Sequence, residues 1–319
     1  MNRRDFVQWA LAASALLPRT LTHDRWGDEL PRRKFGRTGE TVTMLGLGGW
    51  HLGRMSERDA EATVEAAMEG GIRFFDSAES YQGGGSEQYL GRFLVPHYRD
   101  QVYLMTKTTA SDARRARSHL EASLRRLNTD YLDLWQVHAV TSASDVDARM
   151  KNGVVEVMEQ ARNEGKTRHI GFTGHSNPSA HEHMLARTNV FDTVQMPVNV
   201  ADMSYKSFVR NVMPQLVARE MGIIAMKTLA NGGFFGGNNH GQHGNNPRIV
   251  PNRISIRDAI HFAWSFPVSV VVTGPDDIDQ LREKIDLARA FAGMTEEERT
   301  ALVERVADMA GRRVEFYKA

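Results

Sequence analysis

The sequence of 319 residues contains no cysteine. Its absence excludes disulfide bonds, thiolate-held iron–sulfur clusters and cysteine nucleophiles. A charge excess is also missing, because 40 basic and 39 acidic residues leave a net charge of +1. The longest N-terminal apolar run, residues 9–17, is much shorter than the roughly 20 residues that cross a bilayer as a helix. We therefore predict no nucleic-acid partner and no stable membrane span.

The extreme N-terminus carries information about the compartment. Arg3 and Arg4 are followed by Phe6 and by the apolar run 9–17, a pattern that resembles a twin-arginine export signal. We predict an export signal and linker over residues 1–30, a periplasmic or exported location, and the export machinery as a partner. A chance arginine pair on a frayed helix, with a cytoplasmic location, is the alternative. The small residues 13–15 lie inside the apolar run, so cleavage stays open.

From residue 43 onward, eight short apolar runs alternate with helical patterns, which is typical of a (β/α)8 TIM barrel. We predict this barrel over residues 31–319, after a polar linker at 23–33, with a leading hairpin over 34–42 and an extra helix over 295–311. An open, doubly wound sheet is the alternative, but it ordinarily requires a third glycine in the turn at 46–51. The predicted strands cover residues 43–50, 72–75, 102–106, 131–137, 167–172, 193–196, 223–226 and 268–273. The predicted helices cover residues 57–70, a segment from Ser86 onward, 113–127, 154–163, 179–187, 205–221, 256–266 and 278–290.

Three of these runs end in residues that carry chemistry. The second ends at Asp76, the third runs into Lys107 and the fourth into His138, while Tyr81 follows Asp76 by five residues. Singly, each has a structural explanation as a helix cap, a surface lysine or a core histidine. Together they would converge at the mouth of one barrel, where the C-terminal strand ends gather catalytic groups.

The set makes chemical sense as a proton donor. A phenol has a pKa of about 10, and we expect the ammonium of Lys107 to lower the pKa of Tyr81 while Asp76 holds that ammonium in place. His138 would orient a carbonyl oxygen. With no activated nucleophile beside it, such a donor fits carbonyl reduction by an external hydride, which requires a cofactor. A lyase or isomerase that uses Lys107 as a Schiff-base amine is an alternative.

The motifs resemble those of the aldo-keto reductases, over nearly all of the stretch 34–290. They are the run 75–81, Gly-Ser-Glu at 85–87, Thr106 with Lys107, the stretch 123–138, and Gly165-Lys166 before Ile170. The resemblance implies a catalytic tetrad of Asp76, Tyr81, Lys107 and His138, with Tyr81 as general acid. It also implies NADP(H) or NAD(H) lying across the strand ends and a small-molecule carbonyl substrate.

Further contacts follow from the resemblance and from barrel geometry, which places phosphates at the loops after strands seven and eight. The family's amide-binding pair would fall at Thr173 and Gly174, where His175 or Asn177 could replace a missing asparagine. The acidic Asp276 and Asp277 argue against NADP, whereas Arg282 or Lys284 could restore a basic partner. The predicted cofactor contacts are Gly49, Thr173, Gln195, Lys227, Thr228, Leu229, Gly274, Asp277, Gln280 and Lys284, and the predicted substrate contacts are Trp50 and His51.

Two interpretations stay open. The glycine- and asparagine-rich stretch 234–246 is either a lid over the site or an insertion, and its His240 and His243 lack a third ligand, so we predict no metal site.

The family also includes the potassium-channel β-subunits, in which the tetrad persists in a regulatory role. A nicotinamide-nucleotide-binding sensor or accessory subunit with slow turnover is therefore the alternative to a reductase.

Overall fold

A computed structural model describes residues 23–235 and 253–318, in which eight parallel strands close into a barrel. Neighbouring strands follow the order of the chain, and the last pairs with the first. This confirms the TIM barrel and excludes the open sheet. The barrel strands are β1 (Leu45–Gly48), β2 (Phe74–Asp76), β3 (Tyr103–Thr108), β4 (Leu132–Val137), β5 (Thr167–Thr173), β6 (Thr193–Pro197), β7 (Gly222–Met226) and β8 (Val270–Thr273).

The N-terminal hairpin closes the bottom of the barrel. Its strands Arg32–Lys34 and Thr41–Thr43 pair antiparallel, as expected for a hairpin over 34–42. Phe35 is fully buried and packs edge-on against the stacked rings of Phe74 and Tyr103. Aromatic side chains thus fill this end of the barrel, opposite the C-terminal mouth.

Two boundaries near the N-terminus differ from the prediction. Thr43 belongs to the hairpin, and the first barrel strand ends at Gly48, because the chain turns there into the short helix Gly49–Leu52. Residues 23–33, predicted as a polar linker, contain a small ribbon of His23–Asp24 and Gly27–Asp28. A bidentate ion pair at 2.7 and 2.9 Å joins Asp24 to the buried Arg73, so this ribbon is tied to the barrel.

Helices surround the barrel, and several begin at side chains that cap them. Ser56, Asp112 and Asp277 each accept a hydrogen bond from a backbone N–H in the first turn of their helix. The helices are Glu57–Glu69, Gly85–Tyr89, Val95–Tyr98, Ala113–Leu127, Ala143–Lys151, Val154–Asn163, Pro178–Arg187, Phe208–Asn211, Met213–Ala218, Ile256–Trp264, Ile278–Arg289 and Glu296–Val306. In the described part of the chain, no helix is both long and apolar enough to cross a bilayer.

Two helix predictions need correction, and one helix was missed. Ala143–Lys151 was not expected, because only Val146 and Arg149 on it are buried and its apolar pattern is weak. The single helix predicted over 205–221 is two short helices, with Pro214 at the start of the second. The C-terminal helix ends at Val306 and is followed by a short 3-10 turn, rather than continuing to residue 311.

Candidate functional site

Strands β2 and β3 bring an aspartate and a lysine together at the barrel mouth. Asp76 ends β2, Lys107 lies near the end of β3, and both side chains are almost fully buried. The Lys107 ammonium donates hydrogen bonds to the Asp76 carboxylate, to the Ser77 carbonyl at 2.7 Å and to the Tyr81 hydroxyl at 3.2 Å. The amine thus has all three donors engaged, one of them on the phenol oxygen.

Tyr81 reaches this amine because the chain turns sharply after β2. Gln82, Gly83 and Gly84 all have positive φ, which folds the loop back towards the helix Gly85–Tyr89. The Tyr81 ring lies 4.8 Å below the Lys107 ammonium and packs edge-on against Trp50 at 5.3 Å. The phenol is therefore fixed between a cation and an indole.

His138 completes the group immediately after β4. Its backbone N–H donates to the Thr108 carbonyl at 2.8 Å, and its ring centre lies 5.7 Å from that of Tyr81 at 75°. The buried Nδ1 of the ring has no hydrogen-bond partner among the described residues. The structure therefore places all four residues of the predicted tetrad side by side.

Charge and burial set the protonation of this group. Burial raises the pKa of Tyr81, and the ammonium of Lys107 offsets only part of the rise. Burial opposes the charge on Lys107, but Asp76 and Tyr81 outweigh it and raise the pKa of the amine. Burial, and then Lys107, lower the pKa of His138 well below 6.5. The expected net lowering of the Tyr81 pKa was wrong, and the resting site holds a protonated phenol, an ammonium and a neutral imidazole.

An open cavity lies beside Tyr81, with about 580 Å³ of empty space that includes open solvent at its mouth. It brings together ten of the predicted site residues, which come from β2, from β6 and from the segments after β1, β2, β7 and β8. Its lining consists of Gly48, Gly49, Trp50, His51, Asp76, Tyr81, Gln195, Met226, Lys227, Thr228, Leu229, Asn231, Val272, Thr273 and Gly274.

Four predicted cofactor contacts lie outside this lining. Thr173 is buried at the end of β5, where its carbonyl accepts from Val140. Asp277 caps the helix Ile278–Arg289, and the Gln280 side chain accepts from the Asp276 N–H at 3.0 Å. Lys284 is fully buried on the same helix, and its amine has no hydrogen-bond partner in the described ranges. The cavity wall thus does not include these side chains.

His175 and Asn177, the two possible replacements for the missing asparagine, also lie outside the cavity lining. Asn177 caps the helix Pro178–Arg187 by accepting from the Ser179 N–H at 3.1 Å. The ring of His175 packs 6.1 Å from that of Tyr317. His240 and His243, with most of the glycine-rich stretch, lie outside the described residues.

Unpaired polar atoms in the cavity wall test whether a nicotinamide nucleotide fits. Gln195 donates to the Asp76 carboxylate at 2.9 Å, which leaves its buried carbonyl oxygen without a partner among residues 23–235 and 253–318. The Asn231 amide and the Thr273 hydroxyl are likewise buried and unpaired there. Buried polar groups normally have partners. A ligand with both amide donors and acceptors, such as a nicotinamide carboxamide, fits this set of residues.

Some cavity residues escaped the sequence analysis. Met226 and Val272 lie at or near the ends of β7 and β8, so the rule that strand ends face the mouth could have identified them. Tyr317 does not belong to this lining, but its ring centre lies 5.6 Å from the Lys227 ammonium; it could not be identified because no motif or strand end precedes it.

Comparison with known proteins agrees with this geometry. The sequence model described as the aldo/keto reductase family matches residues 44–304. The chain is 35% identical over 155 residues to aldo-keto reductase YhdN of Bacillus subtilis, covering 44% of this chain and 45% of that protein. It is 31% identical over 220 residues to L-galactose dehydrogenase of Arabidopsis thaliana, covering 63% and 66%.

Two further comparisons extend these. Methylglyoxal reductase YeaE of Escherichia coli is 36% identical over 137 residues, covering 42% of this chain and 46% of that protein. The matched stretches thus span from 45% to 66% of the lengths of these three relatives. The holo form of aldo-keto reductase AKR11C1 from Bacillus halodurans superimposes with a TM-score of 0.74 at 22% identity, over 87% of this chain and 96% of that one. At this identity the likeness supports the fold alone.

Proposed function

Because the chain belongs to the aldo/keto reductase family, we propose that it reduces an aldehyde or ketone to an alcohol with NADPH or NADH, with Tyr81 as general acid. The observation that carries the proposal is the hydrogen bond from the Lys107 ammonium to the Tyr81 hydroxyl at 3.2 Å, beside a cavity. A cation at the phenol oxygen stabilises the phenolate that remains after proton donation. The relatives named for methylglyoxal and L-galactose act on small carbonyl compounds or sugars, which fits a small substrate.

Each residue of the cluster has a distinct task in this proposal. The Tyr81 hydroxyl donates its proton to the carbonyl oxygen of the substrate, and Lys107 stabilises the resulting phenolate. Asp76 keeps Lys107 charged and oriented. The neutral His138 donates a hydrogen bond that orients the carbonyl. Trp50, packed on Tyr81, forms the adjoining wall of the substrate site.

The dinucleotide supplies the hydride when it is bound. Gln195 and Asn231 would hold the nicotinamide end through their unpaired amide atoms. Lys227, Thr228 and Gly274, on the loops after β7 and β8, would hold the phosphates. We propose both NADPH and NADH as candidates. The acidic Asp276 and Asp277 would repel the 2′-phosphate of NADPH, whereas Lys284, buried on the helix that Asp277 caps, could attract it.

The direct test is single-turnover oxidation of NADPH and of NADH with a panel of small aldehydes and ketones. We expect wild type to oxidise one or both nucleotides, and Tyr81→Phe to bind nucleotide but lose oxidation. If wild type binds nucleotide tightly without Tyr81-dependent oxidation, the result would instead support a nucleotide sensor. Burial raises the pKa of Tyr81, and a weaker acid donates its proton more slowly, which favours that role.

We also propose that residues 1–30 direct export through the twin-arginine route. The support is the arginine pair with its apolar run, and residues 1–22 lie outside the described part of the structure. A folded reporter fused behind residues 1–30 should reach the periplasm, and the double change Arg3→Lys and Arg4→Lys should retain it in the cytoplasm. Equal distribution of the two reporters would contradict the proposal.

A further inference from the structure

Lys227 occupies an unusual position in the cavity wall. It follows β7 with a positive φ of 59°, and its ammonium contacts the Asn231 side-chain oxygen at 3.4 Å. In the described ranges no carboxylate forms an ion pair with it, whereas Lys107 is paired with Asp76. The second contact of the Lys227 ammonium is the ring of Tyr317, 5.6 Å from its centroid. An amine at a cavity with no anionic partner is suited to bind an anionic group of a ligand.

Tyr317 is itself held firmly. Its hydroxyl accepts a hydrogen bond from the Asn199 amide at 2.8 Å and donates one to Glu315 at 3.1 Å. Its ring centre lies 5.6 Å from the Lys227 ammonium and 6.1 Å from the centre of the His175 ring. The C-terminal segment, residues 314–318, thus presents an aromatic ring to the loop after β7.

A buried ionic cluster fixes this C-terminal segment. The ammonium of Lys318 is fully enclosed and donates to Asp202 at 2.6 Å, Glu315 at 2.8 Å and the Tyr205 carbonyl at 2.8 Å. Asp202 also accepts from the N–H groups of Phe208 and Val209. Buried charges are tolerated only where their geometry is well defined. The position of Tyr317 is therefore determined by the fold and not by Lys227.

We propose that Tyr317 is a positioning residue, whose ring holds the Lys227 ammonium at the cavity as the anchor for an anionic group of the ligand. The inference rests on the proposed dinucleotide site, in which that group is the diphosphate. A cation that is attracted to an aromatic face stays charged and ordered even though it is enclosed. Without the ring, the amine would be free to turn away from the cavity or to lose its proton.

The pH dependence of binding follows from the groups around this amine. Lys107 and His138 interact with it electrostatically, and the ring of Tyr317 faces it, with Glu315 hydrogen-bonded to the Tyr317 hydroxyl behind that ring. Burial, and then Lys107, lower the pKa of Lys227 to about 8. An anion that binds the charged amine raises that pKa again. Affinity should therefore be constant below about pH 8 and fall as the pH rises above it.

The experiment compares rings of equal shape at position 317. NADH affinity is measured from quenching of tryptophan fluorescence between about pH 6 and pH 10, for wild type, for Tyr317→Phe and for a chain with a fluorinated phenylalanine at position 317. Fluorination keeps the packing but removes the negative face of the ring. Tyr317→Phe is the reference for the fluorinated ring, because both side chains lack the hydroxyl and differ only in the charge of the ring face. We expect the fluorinated ring to weaken binding by about three- to tenfold near neutral pH and to shift the fall in affinity to lower pH.

Controls separate this inference from the proposed function. Lys227→Arg keeps the charge without titrating in this range, so its affinity should persist and its fall above pH 8 should vanish. If the fluorinated and unfluorinated rings give the same affinity and the same pH profile, the role of Tyr317 is wrong while the dinucleotide site stands. If wild type binds neither NADH nor NADPH at any pH, both the inference and the proposed function fail.

Discussion

Two clusters at the barrel mouth contain the same residue types and differ in what they can do. In one, Lys107 is buried beside Asp76 and Tyr81; in the other, Lys318 is buried beside Asp202, Glu315 and Tyr317. For brevity we call the first the rim cluster and the second the tail cluster. Both join an ammonium to a carboxylate near a phenol, and the tail cluster adds a second carboxylate, so residue type alone does not show which phenol can act as a proton donor.

The difference lies in what each phenol oxygen contacts. The Tyr81 hydroxyl accepts from Lys107 and lines the cavity, so the cation offsets part of the rise that burial causes in its pKa. The Tyr317 hydroxyl instead donates to Glu315, and burial and then that carboxylate raise its pKa well above 10. Only the rim cluster combines a cation on the phenol with access to a ligand. What makes a phenol a proton donor is therefore the set of groups that contact its oxygen and its exposure to a bound ligand.

The largest effect that separates the clusters should come from removing each lysine in turn. Lys107→Met removes the cation that stabilises the phenolate, so we expect the single-turnover rate of carbonyl reduction to fall by about 10²- to 10⁴-fold. Lys318→Met should leave the rate of the folded fraction within a few-fold of wild type. Equal losses in both variants would show that the rim cluster has no special chemical role.

The next effect is on stability. Lys318→Met leaves Asp202 and Glu315 buried without their cation, and we expect it to lower the free energy of unfolding by about 3–5 kcal/mol. Urea unfolding at equilibrium measures this, with the exposed Lys34→Met as the matched control, which should change stability by less than about 0.5 kcal/mol. A Lys318→Met protein as stable as the control would mean that the tail cluster does not hold the segment.

The smallest effect is an expected absence of titration. Since the pKa of His138 is lowered well below 6.5 by burial and then by Lys107, the imidazole is neutral at every pH above that range. The pKa values of Tyr81 and Lys107 are raised, so neither group loses its proton near neutrality. At saturating nucleotide, the single-turnover rate should stay flat from about pH 6.5 to pH 9. A step with its midpoint near pH 6.5 would show that His138 is charged in the resting site.

The barrel and the rim cluster were accessible to sequence reasoning for a physical reason. Strands buried on both faces are continuous apolar runs, so Asp76, Lys107 and His138 stand out where those runs end. The rise in the Tyr81 pKa could not be predicted from the sequence, since it depends on how completely the folded barrel mouth excludes water. Nor was the tail cluster, because Asp202 and Lys318 are far apart in sequence and meet only through the fold.

Local boundaries were less predictable where tertiary contacts override the pattern. The helix Ala143–Lys151 buries little apolar surface, and the turn at Gly49 depends on close packing, since a Cβ on Gly49 would lie 2.3 Å from the Ser86 hydroxyl. Asp277 and Gln280, predicted as cofactor contacts, have capping hydrogen bonds that a sequence can suggest but not assign in advance.

The most direct test of the account is a pair of matched substitutions, Tyr81→Phe and Tyr317→Phe, assayed side by side for nucleotide binding and for single-turnover reduction of a carbonyl substrate. Both remove one hydroxyl from a tyrosine near a buried lysine. We predict that Tyr81→Phe abolishes reduction while nucleotide still binds, and that Tyr317→Phe retains reduction. Reduction that survives Tyr81→Phe at the wild-type rate would contradict the assignment of Tyr81 as the proton donor.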